Sequence, residues 1–256
     1  MKKETVFLLL IAVLLMSSCD RHKNRLRQKN LNGAIVGLLA GSIQVDHAKN
    51  SWPEGNYRSF KTNDETLMAL RKGDVEALYV DELAMYNPSY DKQLMAIAFI
   101  DNDHQAIAGA LRPQDVEMER QFALFLKEIK ANGVYVRMKN RWTMTERPDT
   151  ITPYQMPAGR VTRVLKVGII GEMPPYSLCN HGRWTGFENE LWTLFAEHMG
   201  YGIEFTVYNF KELIPALLRK DIDVVASAMT VTDERSHLVL FTQPYAYSCS
   251  VCLMRK

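Results

Sequence analysis

The apolar positions of this chain follow two rhythms. Compact apolar runs at Ala34 to Ala40, Ile222 to Ala226 and Ser248 to Leu253 read as buried strands, and spaced apolar positions between such runs read as helices. Asp115 to Ala131 sets Val116, Phe122, Leu126 and Ile129 on one helical face, and Asn132-Gly133 supplies a stop. A second short helix follows to Trp142, and another is expected from about Gln44, after Gly41 and Ser42. Two stretches echo each other. Leu67 to Asp81 (LMALRKGDVEALYVD) and Leu213 to Ser227 (LIPALLRKDIDVVAS) each give an apolar helix, a basic turn and an acid-led apolar strand. Alternating strands and helices predict α/β lobes with mainly parallel sheets. Arg147 to Arg160, rich in Pro and Thr, reads as a linker.

The first residues carry a different pattern. Met1, Lys2 and Lys3 supply positive charge, Val6 to Met16 is unbroken apolar sequence, and Ser17, Ser18 and Cys19 follow. The run is short for a permanent span and fits the apolar region of a secretory signal. A cysteine directly after the small residues resembles the bacterial lipoprotein signal. That resemblance implies that residues 1–19 end at a lipidated Cys19, although Met16 stands where leucine is usual; plain secretion is the alternative. Asp20 to Asn32, charged and polar, reads as a tether of residues 20–32.

Composition narrows the function. The remaining chain of roughly 240 residues suffices for two modest lobes or one large domain. Net charge is +2, and the basic residues are spread out apart from the tether, which argues against nucleic acid as a partner. Cys249 and Cys252 have C-x-x-C spacing, yet they lie in a strand-like run without a second pair or a suitable histidine, so no metal and no cofactor are expected. Cys179 is the third cysteine after the signal, and any disulfide would leave one unpaired.

The richest stretch is Ile222 to Tyr245, IDVVASAMTVTDERSHLVLFTQPY. A strand runs into a polar turn, and the turn opens a helix bearing Thr230, Thr232 and Arg235. Free N–H groups at a helix start and a guanidinium together make an anion site; an ordinary N-cap with a surface arginine is the plainer reading. The stretch resembles the carboxylate-gripping segment of type II solute-binding proteins of family 3, the receptors of amino-acid ABC importers. That segment has a hydroxyl residue, T-x-x-R, and a Phe-Ser/Thr-x-Pro-Tyr ending; here the ending is Phe241 to Tyr245. KVGIIGEMPPY (Lys166 to Tyr176), GFENEL (Gly186 to Leu191) and FKELIPAL (Phe210 to Leu217) are similar to further motifs of the family in the same order.

Ile35 to Trp142 resembles the same family's second half. Gly37 to Ser42, Gly73 to Asp81 and KANGVYVRMKNRW (Lys130 to Trp142) are similar to motifs that in the family follow the Pro-Tyr ending, whereas here they precede it. The resemblance therefore implies a circularly permuted two-lobed (Venus-flytrap) α/β fold. Residues 33–105 would form one lobe, 106–146 with 161–248 the other, 147–160 the joining linker and 249–256 a crossover strand. The crossings are expected near Gln105 to Leu111 and Cys249 to Met254. Permutation costs little when the old termini join on the surface. Two half-domains pairing between molecules are the alternative to this monomer.

The resemblance also implies a mechanism and a site. Ligand would close the lobes by touching both. Arg235 would grip a carboxylate, helped by Thr230 and the backbone near Ser227 and Ala228. Phe210 would cover the ligand, beside Met173 or Tyr176. Asp81 would accept an ammonium from the other lobe, and Ser42, Ile43 and Gln44 would meet the carboxylate from the far side. Asp81 could instead be only an N-cap. Ile170, Ile43 and Met173 stand where polar or aromatic residues are common, so a neutral or apolar amino acid is expected. The expected product is an extracytoplasmic, lipid-anchored binder and not an enzyme, with an ABC permease as its possible partner. A sensing module and a dehydratase-like enzyme using Glu172 or Glu188 are the alternatives.

Overall fold

The computed structural model describes residues 23–24, 26–144, 151–152, 154–156, 161–180 and 182–256. The expected signal peptide with Cys19, and most of the linker 147–160, lie outside the described residues.

The first lobe opens with β1 (Ile35–Leu39), α1 (Ile43–Ser51), β2 (Asn56–Phe60), α2 (Asn63–Lys72), β3 (Ala77–Asp81) and a 3-10 turn (Glu82–Tyr86). The long strand β4 (Met95–Ile107) then leads toward the second lobe. That lobe holds β5 (Ala110–Leu111), α3 (Val116–Ala131), α4 (Val134–Thr143), β6 (Val164–Ile169) and a small sheet of β7 (Glu172–Met173), β8 (Ser177–Asn180) and β9 (Arg183–Thr185). It continues with α5 (Phe187–His198), β10 (Gly202–Val207), a 3-10 turn (Phe210–Glu212), α6 (Leu213–Leu218), β11 (Val224–Val225), α7 (Asp233–Ser236) and β12 (Leu240–Phe241). Finally β13 (Ala246–Arg255) returns to the first lobe.

The two five-stranded sheets have one plan. The first runs β2-β1-β3-β13-β4 and the second β10-β6-β11-β5-β12. In each, three parallel strands come from one segment, and the fourth position is taken by a strand antiparallel to its neighbours from the far end of a crossing. Ser250 to Met254 lies inside the first sheet, paired with both β3 and β4, and Cys249 sits at the irregularity just before it. The return crossing therefore falls earlier than expected, at Tyr245 and Ala246.

The internal echo has a physical basis. Asp74 N–H donates to Ala69 O at 2.9 Å and Asp221 N–H to Ala216 O at 3.0 Å, closing matching helix ends. The left-handed residue at that end is Gly73 in the first lobe (φ 86) and Lys220 in the second (φ 68). Two residues on, each strand's acid ties down the neighbouring first strand. Glu76 Oε2 accepts from Ile35 N–H at 2.7 Å, and Asp223 Oδ2 accepts from Lys166 N–H at 3.2 Å.

Two expectations change. Val116 is 60% exposed, and the buried face of α3 is Phe122, Phe125, Leu126 and Ile129. The first turn of a helix can project past the core it serves. The described end of the tether is docked: Leu26 and Leu31 are fully buried in the apolar cluster of Val36, Tyr79 and Phe99. Trp52 Nε1–H donates to Lys29 O at 2.7 Å, and Glu54 N–H donates to Asn32 Oδ1 at 3.1 Å. Hydropathy averaged over this polar stretch hides its two leucines. Among the described residues no helix is long and apolar enough to cross a membrane.

Candidate functional site

A cavity of about 30 Å³ lies where the lobes meet. The first lobe lines it with Ser42, Ile43, Gln44 and Asp81, together with Leu39, Asn63 and Val80; the second supplies Met173, Phe210, Ala228, Thr230 and Arg235. Most of the residues singled out from the sequence therefore meet on one wall or the other. Ser227 and Tyr176 stand behind it. The Ser227 hydroxyl accepts from Ile170 N–H at 2.9 Å, and Tyr176 packs edge-on against Phe187 with centroids 5.2 Å apart. Leu39, Asn63 and Val80 were not expected; their only signal is position, at the ends of apolar strands and just past Thr62, the N-cap of α2.

Arg235 is 9% exposed and has no carboxylate partner among the described residues. Nη1–H donates to Thr230 O at 2.9 Å, and Nη2–H reaches across the cleft to Gly41 O at 3.0 Å. Its guanidinium lies 5.4 Å from the Phe210 ring centre. Burial lowers its pKa to about 10, so it stays cationic at neutral pH. A buried cation whose hydrogen bonds go to carbonyl oxygens, with Glu234 and Asp46 acting on it only from beyond ion-pair distance, favours an anion beside it. The helix-start expectation changes here. α7 has only four residues, its first turn carries Asp233 and Glu234, and the Thr232 hydroxyl is taken by Arg235 N–H at 3.2 Å. The positive charge of this wall comes from the guanidinium and not from a helix end.

Opposite stands Asp81. Its Oδ1 accepts from Leu83 N–H at 2.9 Å and from the Ser248 hydroxyl at 2.6 Å, so it caps the 3-10 turn. Oδ2 carries no hydrogen bond among the described residues. Burial raises this carboxyl to about 6, with Ser248 and Leu83 opposing the shift. Ser42 is 8% exposed at the N-cap of α1, and its hydroxyl has no partner among the described residues. Gln44 is held by its Nε2–H bond to the Ser250 hydroxyl at 2.9 Å.

Glu188 is the acid that sequence reasoning weighed only as a proton-transfer group or a helix start. It is fully buried on α5, behind the cavity. Oε2 accepts from Ala228 N–H at 2.8 Å, and Oε1 accepts from the Tyr245 hydroxyl. Ala228 has φ 45, a conformation that costs a non-glycine residue roughly 1 kcal/mol, and Glu188 holds it there. Burial raises Glu188 to about 7 against those two bonds. A general acid must reach substrate; Glu188 is spent on the backbone of the wall. Among the described residues no His, Cys, Asp and Glu cluster could hold a metal, and Cys179, Cys249 and Cys252 are free thiols.

Comparison with known proteins bears on the C-terminal third. Residues 165–256 match the family of bacterial extracellular solute-binding proteins, family 3. A probable histidine-binding protein of Campylobacter jejuni is 40% identical over 95 residues, which are 37% of this chain and 37% of that protein. The L-arginine-binding protein of Pseudomonas aeruginosa is 34% identical over 91 residues, 35% of each. The match thus spans little more than a third of the length of these curated relatives. The crystal structure of the arginine-bound form of domain 1 from TmArgBP is 32% identical, over 36% of this chain and 80% of that one, with a TM-score of 0.32.

Proposed function

We propose that the chain is an extracytoplasmic receptor that captures an amino acid by closing two lobes on it, a reading supported by the match of residues 165–256 to bacterial extracellular solute-binding proteins, family 3. The observation that carries this reading is the pairing across the cleft of a buried guanidinium, Arg235, without a carboxylate partner among the described residues, and a partly buried carboxylate, Asp81, whose Oδ2 has no hydrogen bond among them. The ligand carboxylate would lie between Arg235 and the Ser42 hydroxyl, and its ammonium on Asp81 Oδ2. Charges of opposite sign on opposite lobes make a zwitterion favour the closed form over the open one.

The relatives' names support this: they describe proteins that bind histidine, arginine or L-cystine. The cavity of about 30 Å³ has room for little more than one or two waters, so ligand entry requires the lobes to part. The chain is circularly permuted in this reading, with residues 147–160 joining the family's former ends, and β13 from the end of the sequence pairs with β3 and β4 from its first half. In this reading the protein works as a monomer, is anchored through a lipidated Cys19, and hands its ligand to an ABC permease.

The test is calorimetric titration of the full chain in detergent against the twenty amino acids, with Arg235→Ala and Asp81→Asn beside it. One tight ligand is expected, with affinity falling about a hundredfold or more in Arg235→Ala and about tenfold or more in Asp81→Asn. In thermal unfolding, ligand at a hundredfold excess over Kd should add about 2.7 kcal/mol of stability. Tight binding that survives both substitutions would move the site elsewhere.

A further inference from the structure

The turn that forms the ligand wall is fastened to the outgoing crossing. Val231 N–H donates to Ala106 O at 2.9 Å, Ala108 N–H donates to Met229 O at 3.1 Å, and Thr230 bridges to Ile107 between them. The carbonyl of the same Thr230 holds Arg235 Nη1–H. The return crossing joins this strip, because Tyr245 N–H donates to Ile107 O at 3.0 Å.

Side chains of α5 tie the same three pieces together. Glu188 Oε2 accepts from Ala228 N–H in the wall turn at 2.8 Å, and Oε1 accepts from the Tyr245 hydroxyl on the return crossing. One helical turn on, the Trp192 ring is fully buried against the outgoing crossing, where a Cβ on Gly109 would collide with it. Tyr245 itself is 1% exposed, and Tyr135 of α4 donates its hydroxyl hydrogen to the Tyr245 carbonyl. Neither Glu188 nor Tyr245 lines the cavity. A hydrogen bond to a carboxylate is strong out of water, and leaving its partner unpaired there is costly.

We propose that Tyr245 is a positioning residue for ligand capture: through Glu188 it sets the wall from Ala228 to Thr230, so that gripping the carboxylate and closing the lobes are one transition. This role rests on the receptor reading above and adds the link from crossing to grip. Parting the lobes turns the backbone at Tyr245 and Ala246. A turn that moves the Tyr245 ring is passed by its hydroxyl to Glu188, and by Glu188 to Ala228, whose φ of 45 relaxes unless it is held. A ligand that prefers the held wall thereby prefers the closed crossing.

The experiment is titration of the full chain in detergent with each of the twenty amino acids, and with the amide of any that binds, which keeps the ammonium and lacks the carboxylate. Tyr245→Phe keeps the ring and removes only the hydroxyl. It should weaken the amino acid about tenfold, through faster dissociation, and change the amide less than about twofold. Glu188→Gln should give the same split, and the double variant should bind no more weakly than Glu188→Gln alone. A merely structural role would weaken amino acid and amide equally; that result, or unchanged affinity in folded Tyr245→Phe, would overturn the proposal. If Tyr245→Phe does not fold, Tyr135→Phe frees the Tyr245 carbonyl, leaves the bonds of Glu188 in place and reads the same split. Binding by the parent without the split would leave the receptor reading standing alone. No binding of any amino acid would remove both.

Discussion

Glu188 and Arg235 are both ionisable groups held out of water, and they are satisfied in opposite ways. Glu188 is closed off by Tyr245 and Ala228, whereas Arg235 keeps its guanidinium on the cavity wall. Glu188, raised to about 7, and Asp81, raised to about 6, each bind protons more tightly folded than unfolded. Their contribution is fully present below the ordinary carboxylate values and is lost as pH rises through about 6 to 7. Asp223, lowered by its arginine and backbone partners despite burial, acts only at more acid pH. Urea unfolding should therefore show lower stability at pH 8 than at pH 5. A tenfold difference in proton affinity between the folded and unfolded chain corresponds to roughly 1.4 kcal/mol. Glu188→Gln keeps an acceptor for Ala228 N–H and should flatten that slope; an unchanged slope would mean Glu188 does not titrate in this window. Sequence made Arg235, Asp81 and Phe210 legible through their motifs. It could not separate Ser227 and Tyr176 from the wall, because which face of a turn meets a cavity depends on strands distant in the chain.

At the scale of elements, hydrophobic rhythm located the strands and helices well. β1, α3, α4 and β13 lie within a few residues of their expected spans, since each is set by its own periodicity. What rhythm missed was tertiary: the exposure of Val116 and the burial of Leu26 and Leu31. The echo gives a prediction of its own. The equivalent helix ends use Gly73 and Lys220 in the same left-handed conformation, which glycine adopts freely and lysine does not. Lys220→Gly should raise stability by about 0.5–1 kcal/mol and Gly73→Ala lower it by about 1 kcal/mol or more. Urea midpoints at constant m-value decide this. If both substitutions lower stability, the two turns are not equivalent, and the likeness of the lobes stops at strand order.

For the whole molecule, closure depends on how nearly the lobes can approach. Gly41 stands at the contact: its carbonyl accepts from Arg235 Nη2–H at 3.0 Å, and a Cβ there would lie 3.0 Å from Lys211 Cβ and 3.1 Å from Lys211 Cα. Its φ of 81 already favours glycine. Gly41→Ala therefore acts twice, adding backbone strain of roughly 1 kcal/mol and wedging the lobes at the point where the guanidinium bridges them. Strain inside one lobe lowers unfolding stability whether the cleft is open or closed. The wedge penalises only the closed form, so it lowers apparent affinity by the fraction of closed molecules lost. Titration should show Gly41→Ala weakening the ligand about tenfold, and small-angle scattering should show a larger radius of gyration for the ligand-bound variant than for the ligand-bound parent. Lys211→Gly removes the opposing Cβ and should restore much of the affinity in the double variant while leaving the strain in place. An interaction energy near zero in that cycle, with affinity lost in both backgrounds, would mean that the lobes do not meet at Gly41 when ligand binds.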